Sequence, residues 1–287
     1  MTTFDFNDGN GPVPAHQHPN GGGWVADTAW AADTVYVAQT AQVYGHAKIS
    51  DNVKILGYSK VYGGANVSEQ AQIYEHAQIF DNARVYEGAL VYGNALVYGG
   101  AEVHGDAWVS EYAQIFGIAI VCGNARIFGS AKIRGFAFVY EYAVISDNAE
   151  VFGDAKVFGR ASIYGNVKVY WHAEVSENAH ISGNAHISGD AQVYGKAKVS
   201  GDAQVYGNAQ VFDTAKIYGN AEIYASCLVS GNMELDGNSA KLFMLNYGTV
   251  QETAKISSKD YPHLCPKCKS PAYVGFVKID CSNNCGA

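Results

Sequence analysis

From Gly23 to Asn238 a six-residue unit recurs without the insertion or loss of a single residue, giving 36 hexads of the form Ala-x-Val/Ile-Tyr/Phe/Ser-Gly/Asp/Glu-Asn. The first position is Ala in 29 of the 36 and the third is Val or Ile in 34, with Ala31 and Leu235 the exceptions, so one side of every unit is small or branched aliphatic. A period of six does not keep one face of a helix apolar. In a strand, side chains alternate from side to side, so the first and third residues point inward and the second and fourth outward. Gly, Asn and acids at the fifth and sixth positions suit a bend, because Gly and Asn tolerate left-handed backbone dihedrals that Val cannot. The chain therefore turns a corner at the end of every hexad, and three hexads close a triangle. Stacked at roughly 4.8 Å per strand spacing, about 12 such coils make a triangular prism on the order of 55 to 60 Å long. The fold class expected is all-β, with each residue lying over its counterpart three hexads further on.

Four segments follow from this pattern: an N-terminal cap over 1–22, the repeat array over 23–238, a connecting segment or C-terminal cap over 239–260, and a cysteine-bearing module over 261–287. Caps are expected because open strand edges invite endless stacking. The formal net charge of −8 disfavours nonspecific binding to nucleic acid. No apolar run long enough to span a bilayer is present, and the first residues lack a basic segment followed by an apolar one. With four of the six Cys gathered between Cys265 and Cys285, cysteine usage reads as a metal site plus two thiols rather than a disulfide framework. A cytoplasmic location is the expectation.

The hexad array resembles that of hexapeptide-repeat proteins with a left-handed parallel β-helix, over about three quarters of the chain. The entry segment Gly21-Gly-Gly-Trp-Val-Ala-Asp-Thr28 and the Tyr-Gly-Asn-Ala units look most like uncharacterised bacterial and bacteriophage members of that group. The superfamily includes acyltransferases, sugar nucleotidyltransferase tails and zinc carbonic anhydrases, and trimers are common in it. Its acyltransferases usually interrupt the coils with a projecting loop and place a catalytic His between subunits. This chain has no such insertion, and its nine His are scattered; an acyltransferase-like enzyme stays an alternative, with His104 or His186 as the residues to test. His16 and His18 form a His-x-His pair in the N-terminal segment, which reads as surface decoration of a cap more than as a metal site.

Cys265-Pro-Lys-Cys268 and Cys281-Ser-Asn-Asn-Cys285 supply four thiolates on two short turns, an arrangement suited to tetrahedral Zn²⁺. The segment resembles a zinc ribbon, and a structural zinc is expected there. Cys122 replaces an outward aromatic and Cys227 an inward Ala, so neither reads as a nucleophile.

Sorted by face, the outward fourth positions are unequal. One face carries Tyr44, Tyr62, Phe80, Tyr98, Phe116, Phe152, Tyr170, Tyr206 and Tyr224, interrupted by Arg134 and Ser188. Such rings can stack along the array and stabilise it, or they can present a partner surface. One corner collects acids at the fifth position: Asp33, Asp51, Glu69, Glu87, Glu141, Glu177 and Asp213. Solvated charge is the plain reading of that column, and a mimic of duplex nucleic acid that captures a DNA-binding protein is the sharper one. The function expected is a non-catalytic scaffold or binding protein that offers its aromatic ladder to a protein partner or to itself, as a dimer or trimer. Nucleic acid and membrane are not expected partners.

Overall fold

The computed structural model describes residues 2–237 and, beyond them, the backbone of the strands Lys241–Met244, Thr249–Val250, Lys255–Ser257, Ala272–Val274 and Val277–Ile279. The described residues form strands, turns and bends and no helix, and they divide into two compact units, Met1–Ser146 and Asp147–Ala287. No described helix is long and apolar enough to cross a membrane.

In the first unit the array runs from Trp24–Ala26 to Val144–Ile145 as short strands, three to a coil, that make seven coils. Register follows the hexad: Gln42 pairs with Lys60 and Val43 with Val61, each parallel and three hexads on. The second and third faces pair in the same way, Lys48 with Asn66 and Lys54 with Gln72. Backbone N–H groups at the second, fourth and sixth positions donate to carbonyls at the first, third and fifth positions of the next coil, as in Lys48 to Ala65 (2.9 Å), Ser50 to Val67 (3.0 Å) and Asn52 to Glu69 (2.8 Å). The interior is a stack of Ala and Val or Ile fully removed from water, Ala41 and Val43 through Ala143 and Ile145. Each buried Val or Ile contributes about 1.5 to 3 kcal/mol before the cost of ordering the chain. Ser59 takes an inward Ala position and satisfies its hydroxyl by donating to the Leu56 carbonyl at 2.7 Å.

Corners explain the fifth position. Gly105 has φ +70, and a Cβ there would sit 2.7 Å from the Gly123 nitrogen of the next coil. Acids nevertheless occupy the same left-handed conformation at Asp51, Glu69 and Glu87 (φ 59, 62 and 57).

The N-terminal segment adds two strands to the first coil. β1 (Thr3–Phe4) pairs antiparallel with β2 (Val13–Gln17), and β2 pairs antiparallel with β3 (Trp24–Ala26), ending that sheet with reversed strands. Residues 18–23 then cross the start of the third face, where the Gly23 N–H donates to the Val37 carbonyl (2.9 Å) and the Val37 N–H to the Asn20 carbonyl (3.0 Å). Side chains would not fit there: a Cβ on Gly23 would lie 2.3 Å from the Ala38 carbonyl oxygen. Phe6, buried, stacks on Tyr44 at 4.8 Å and packs with Ala15 and Ala26. Ala26 holds the aromatic column's position one coil before Tyr44, so Phe6 supplies from outside the repeat the ring that the repeat lacks.

In the second unit five coils run from Glu150–Val151 to Glu234–Gly237 with the same parallel register of three hexads, Glu150 on Lys168 and Lys168 on His186. The hexad pattern ends at Asn238, and strand pairing continues at a changed spacing. Glu222 pairs with Lys241, one position beyond three hexads, and Leu228 with Thr249 and Glu234 with Lys255, each three positions beyond. Val277–Ile279 pairs antiparallel with Lys241–Met244 and with Ala272–Val274. Cys265, Cys268, Cys281 and Cys285 lie outside the described residues.

Replacing Phe6 by Ala is expected to cost roughly 3 kcal/mol, as for other buried Phe truncations. Urea unfolding of the full chain checks this, and a midpoint unmoved by the change would show that the donated ring is not part of the stack.

Candidate binding surfaces

Because outward side chains repeat at the strand spacing, identical residue types in one column meet face to face. In the first unit Tyr44, Tyr62, Phe80, Tyr98 and Phe116 stack at 4.8 to 4.9 Å with their planes within 4° of one another. Tyr44 is buried beneath Phe6, and loss of solvent pushes its hydroxyl, and those of Tyr62 and Tyr98, above the ordinary tyrosine range. The Tyr62 hydroxyl reaches the Gln78 side-chain carbonyl at 3.2 Å. In the second unit Phe152 stacks on Tyr170 at 5.0 Å and Tyr206 on Tyr224 at 5.2 Å. Rings so arranged cover one another, which is the structural half of the expectation.

Trp171, which the sequence reading passed over, stands at the corner beside Tyr170, edge-on to it at 5.6 Å, and is 62% exposed. Its backbone is left-handed, φ +62, where most coils place Gly. In the first unit Ile118 and Phe136, one coil apart on the corner that follows Phe116, are 55% and 62% exposed. These three side chains break the sixth- or fifth-position pattern of the hexad, and that departure was the available signal.

Two members of the acidic column, Asp51 and Asp213, bind the corner of the next coil. Asp51 accepts the Glu69 N–H of the next coil (3.1 Å) and the Ser50 hydroxyl (2.7 Å), and together these hold its carboxyl below the usual range, the Ser50 bond most of all. In the second unit Asp213 accepts the Gly231 N–H at 3.1 Å. Acids at other corners do the same: Asp81 to Gly99, Glu111 to Gly129, and Asp147 to Gly165. A carboxylate that binds the next coil's corner N–H offsets the strain of a left-handed non-Gly residue. Glu87 instead approaches the His104 Nδ1 at 3.5 Å. Asp33 stands on the first coil, and Glu141 and Glu177 keep the left-handed corner.

The histidines engage separate neighbours. His104 stacks on Tyr86 at 4.6 Å. His186 is held below the ordinary imidazole value, first by loss of solvent and then by Lys168. His16 contacts Asp27 through Nδ1 at 3.0 Å, whereas His18 is buried and accepts the Asn20 N–H at 3.2 Å, so the two rings do not converge. Among the described residues no group of three His, Cys, Asp or Glu is placed to hold a metal ion. Cys122 is half-buried with its thiol pushed up by loss of solvent and by Glu87, and burial pushes Cys227 to about 12.

A groove of about 1000 Å³ follows one corner of the first unit. One wall is the run of sixth positions from Asn52 to Tyr142, and the other is the run of second positions from Lys54 to Val144. Near its middle the Arg126 guanidinium lies over the Trp108 ring, 4.4 Å from the centroid.

Among known proteins, a family model for a YdcK beta-solenoid repeat matches residues 77–92 and 89–105. No curated protein matches the chain. Among solved structures, a UDP-N-acetylglucosamine acyltransferase of Arabidopsis is similar at 14% identity over 84% of this chain and 86% of that one, with a TM-score of 0.28. A protein of Desulfovibrio desulfuricans G20 provisionally named an acetyltransferase is similar at 10% identity over 85% of this chain and 73% of that one, again with a TM-score of 0.28. The family match concerns the repeat, and no chemistry is carried over from the structural likenesses.

Two outcomes follow. Tyr98→Ser removes two stacked pairs and is expected to cost about 1 to 3 kcal/mol in urea unfolding. Tyr98→His should cost less, since imidazoles already serve as rungs over Tyr58 and Tyr86; equal losses would deny the stack its role. Cys227 should resist maleimide at pH 8 in the folded chain, because only a minute thiolate fraction exists far below its pKa. Labelling of Cys227 at the rate of an unfolded control would contradict its burial.

Proposed function

We propose that the protein is a non-catalytic scaffold that presents rings, on a rigid backbone lattice, to a protein partner or to further copies of itself. The observation that supports this most directly is Trp171. A non-Gly residue in the left-handed region costs about 1 to 2 kcal/mol, and this one recovers little by burial, being mostly exposed beside the aromatic column. Strain held at an exposed aromatic is characteristic of a surface used for contact. In the first unit the exposed Ile118 and Phe136, next to Phe116 of the column, add apolar area of the same kind.

On this reading the coils wind left-handed, as in the hexapeptide-repeat proteins that the sequence resembles, and the chain works as a dimer or trimer in the cytoplasm. The Cys265, Cys268, Cys281 and Cys285 set binds a structural zinc that stabilises a module too small to supply its own core. The acidic column serves as solvated corner charge, two of whose members, Asp51 and Asp213, also satisfy corner N–H groups, rather than to imitate a nucleic-acid duplex.

Trp171→Gly separates presentation from stability. Glycine fits the left-handed corner, so the melting temperature should hold or rise. Mass by light scattering, or capture of a protein partner from host lysate, should fall. A variant that is equally stable, keeps the parent mass and captures as before would refute the proposal.

A further inference from the structure

The groove of the first unit gathers, along two facing columns, polar side chains that the protein itself does not use. Some polar side chains of that unit are tied to the next coil, as Arg84 is to Glu102 at 2.9 Å and Tyr86 to Glu102 at 3.1 Å. In the second unit an amide ladder runs Asn148 to Asn166 to Asn184 to Asp202 at 2.8 to 3.1 Å. Across the groove, Asn52, Lys54, Gln70, Gln72, Asp106 and Asn124 line the walls, and none has a side-chain hydrogen bond or ion pair with the protein. Donors and acceptors converge there with no internal use. Gly88, in the middle of one wall, lets the Asp106 carboxylate lie close over its backbone: a Cβ there would sit 2.6 Å from Asp106 Oδ1.

We propose that this groove binds a neutral, hydroxyl-rich linear polymer, a glycan chain, laid along the stacked coils. Four features select that chemistry. Hydroxyls both donate and accept, which matches amides that do both, Lys54 that donates and Asp106 that accepts. The Trp108 side chain, stacked with the Arg126 guanidinium and 38% exposed, presents an apolar edge against which the C–H face of a sugar ring packs. Charge disfavours a polyanion, since Asp106 lies within the groove and Asp51, Glu69 and Glu87 stand on the adjoining corner, while Lys54 and Arg126 offset part of the attraction for a polycation.

The fourth feature excludes an extended peptide, which ordinarily binds by adding a strand to an open sheet edge. Both walls already use their backbone between coils. Along the second positions the N–H groups of Lys54, Gln72 and Trp108 donate to Ala71, Ala89 and Ala125; along the sixth, those of Asn52, Gln70 and Asn124 donate to Glu69, Glu87 and Glu141. Recognition in the groove therefore falls to side chains, and those repeat at the strand spacing of roughly 4.8 Å. Ligand length should then matter, because each added sugar meets a further coil.

The test is isothermal titration of the full chain with cellohexaose, maltohexaose and chitohexaose and with the matching trisaccharides, alongside heparin and polylysine. At least one neutral hexasaccharide should bind with Kd below about 1 mM, and more tightly than its trisaccharide. Gly88→Gln, which pushes the Asp106 carboxylate out of place and adds bulk at a corner position without left-handed backbone, should weaken that binding at least about tenfold. Trp108→Ser, which removes that apolar edge, should do so independently, and a variant counts only if its thermal melt matches the parent. The proposal is overturned if no hexasaccharide binds, if binding ignores both substitutions, or if heparin or polylysine displaces the sugar from this groove. The result is independent of the aromatic column, since neither variant touches it.

Discussion

Backbone pairing at a constant offset governs this protein. An N–H at the second, fourth or sixth position finds its acceptor in the third hexad further on, at the first, third or fifth position respectively. One residue gained or lost inside a coil would put that coil's donors off their acceptors in the next and, unless it bulged out at a corner, turn part of the inward aliphatic set outward. The hexad's unbroken run is the consequence. Where the pattern ends, the pairing offset lengthens first by one position and then by three, at Lys241 and at Thr249 and Lys255.

That offset fixes where chemistry can appear. The first and third positions are committed to the interior. The fifth takes a left-handed backbone in most coils, which Gly does freely and which Asp51 and Asp81 offset with a carboxylate bound to the corner N–H above, while Glu69 and Glu87 hold it without that bond. The second, fourth and sixth positions remain for surface variation, and each forms a column along the coils. Columns of rings stack, columns of unlike charge pair, and columns of amides either zip together, as from Asn148 to Asp202, or stay open, as along the groove.

Much of this was legible in the residues. The period alone implies three-sided coils of three hexads each, the aliphatic interior and the columns of aromatic rings. The acidic column was visible as a column, but its corner hydrogen bonds were not, because they depend on where a left-handed Cβ directs a carboxylate. Phe6 could not be placed by the repeat, since it lies outside it and reaches Tyr44 only through the antiparallel reversal of β1 and β2. Sorting the sixth and second positions by column would have put Asn124 beside Arg126 and Asp106 beside Trp108. No sorting shows that the groove's polar side chains lack partners, because that is a property of rotamers and distances.

Nearest-neighbour construction separates stability from recognition here in a way a globular core does not. Each coil touches only the coils before and after it, so a changed surface side chain perturbs its own rung and at most two others. In a close-packed globular domain the same change would propagate through shared neighbours. The solenoid can therefore carry a strained Trp171, an exposed Phe136 and an unpaired Asp106 while the Ala and Val columns beneath them stay identical from coil to coil. What such a frame recognises must itself be extended and periodic, or broad enough to meet several coils at once. A compact ligand would meet one rung and gain little; an extended one adds a comparable contact with every strand spacing, so its affinity rises with length until the columns change.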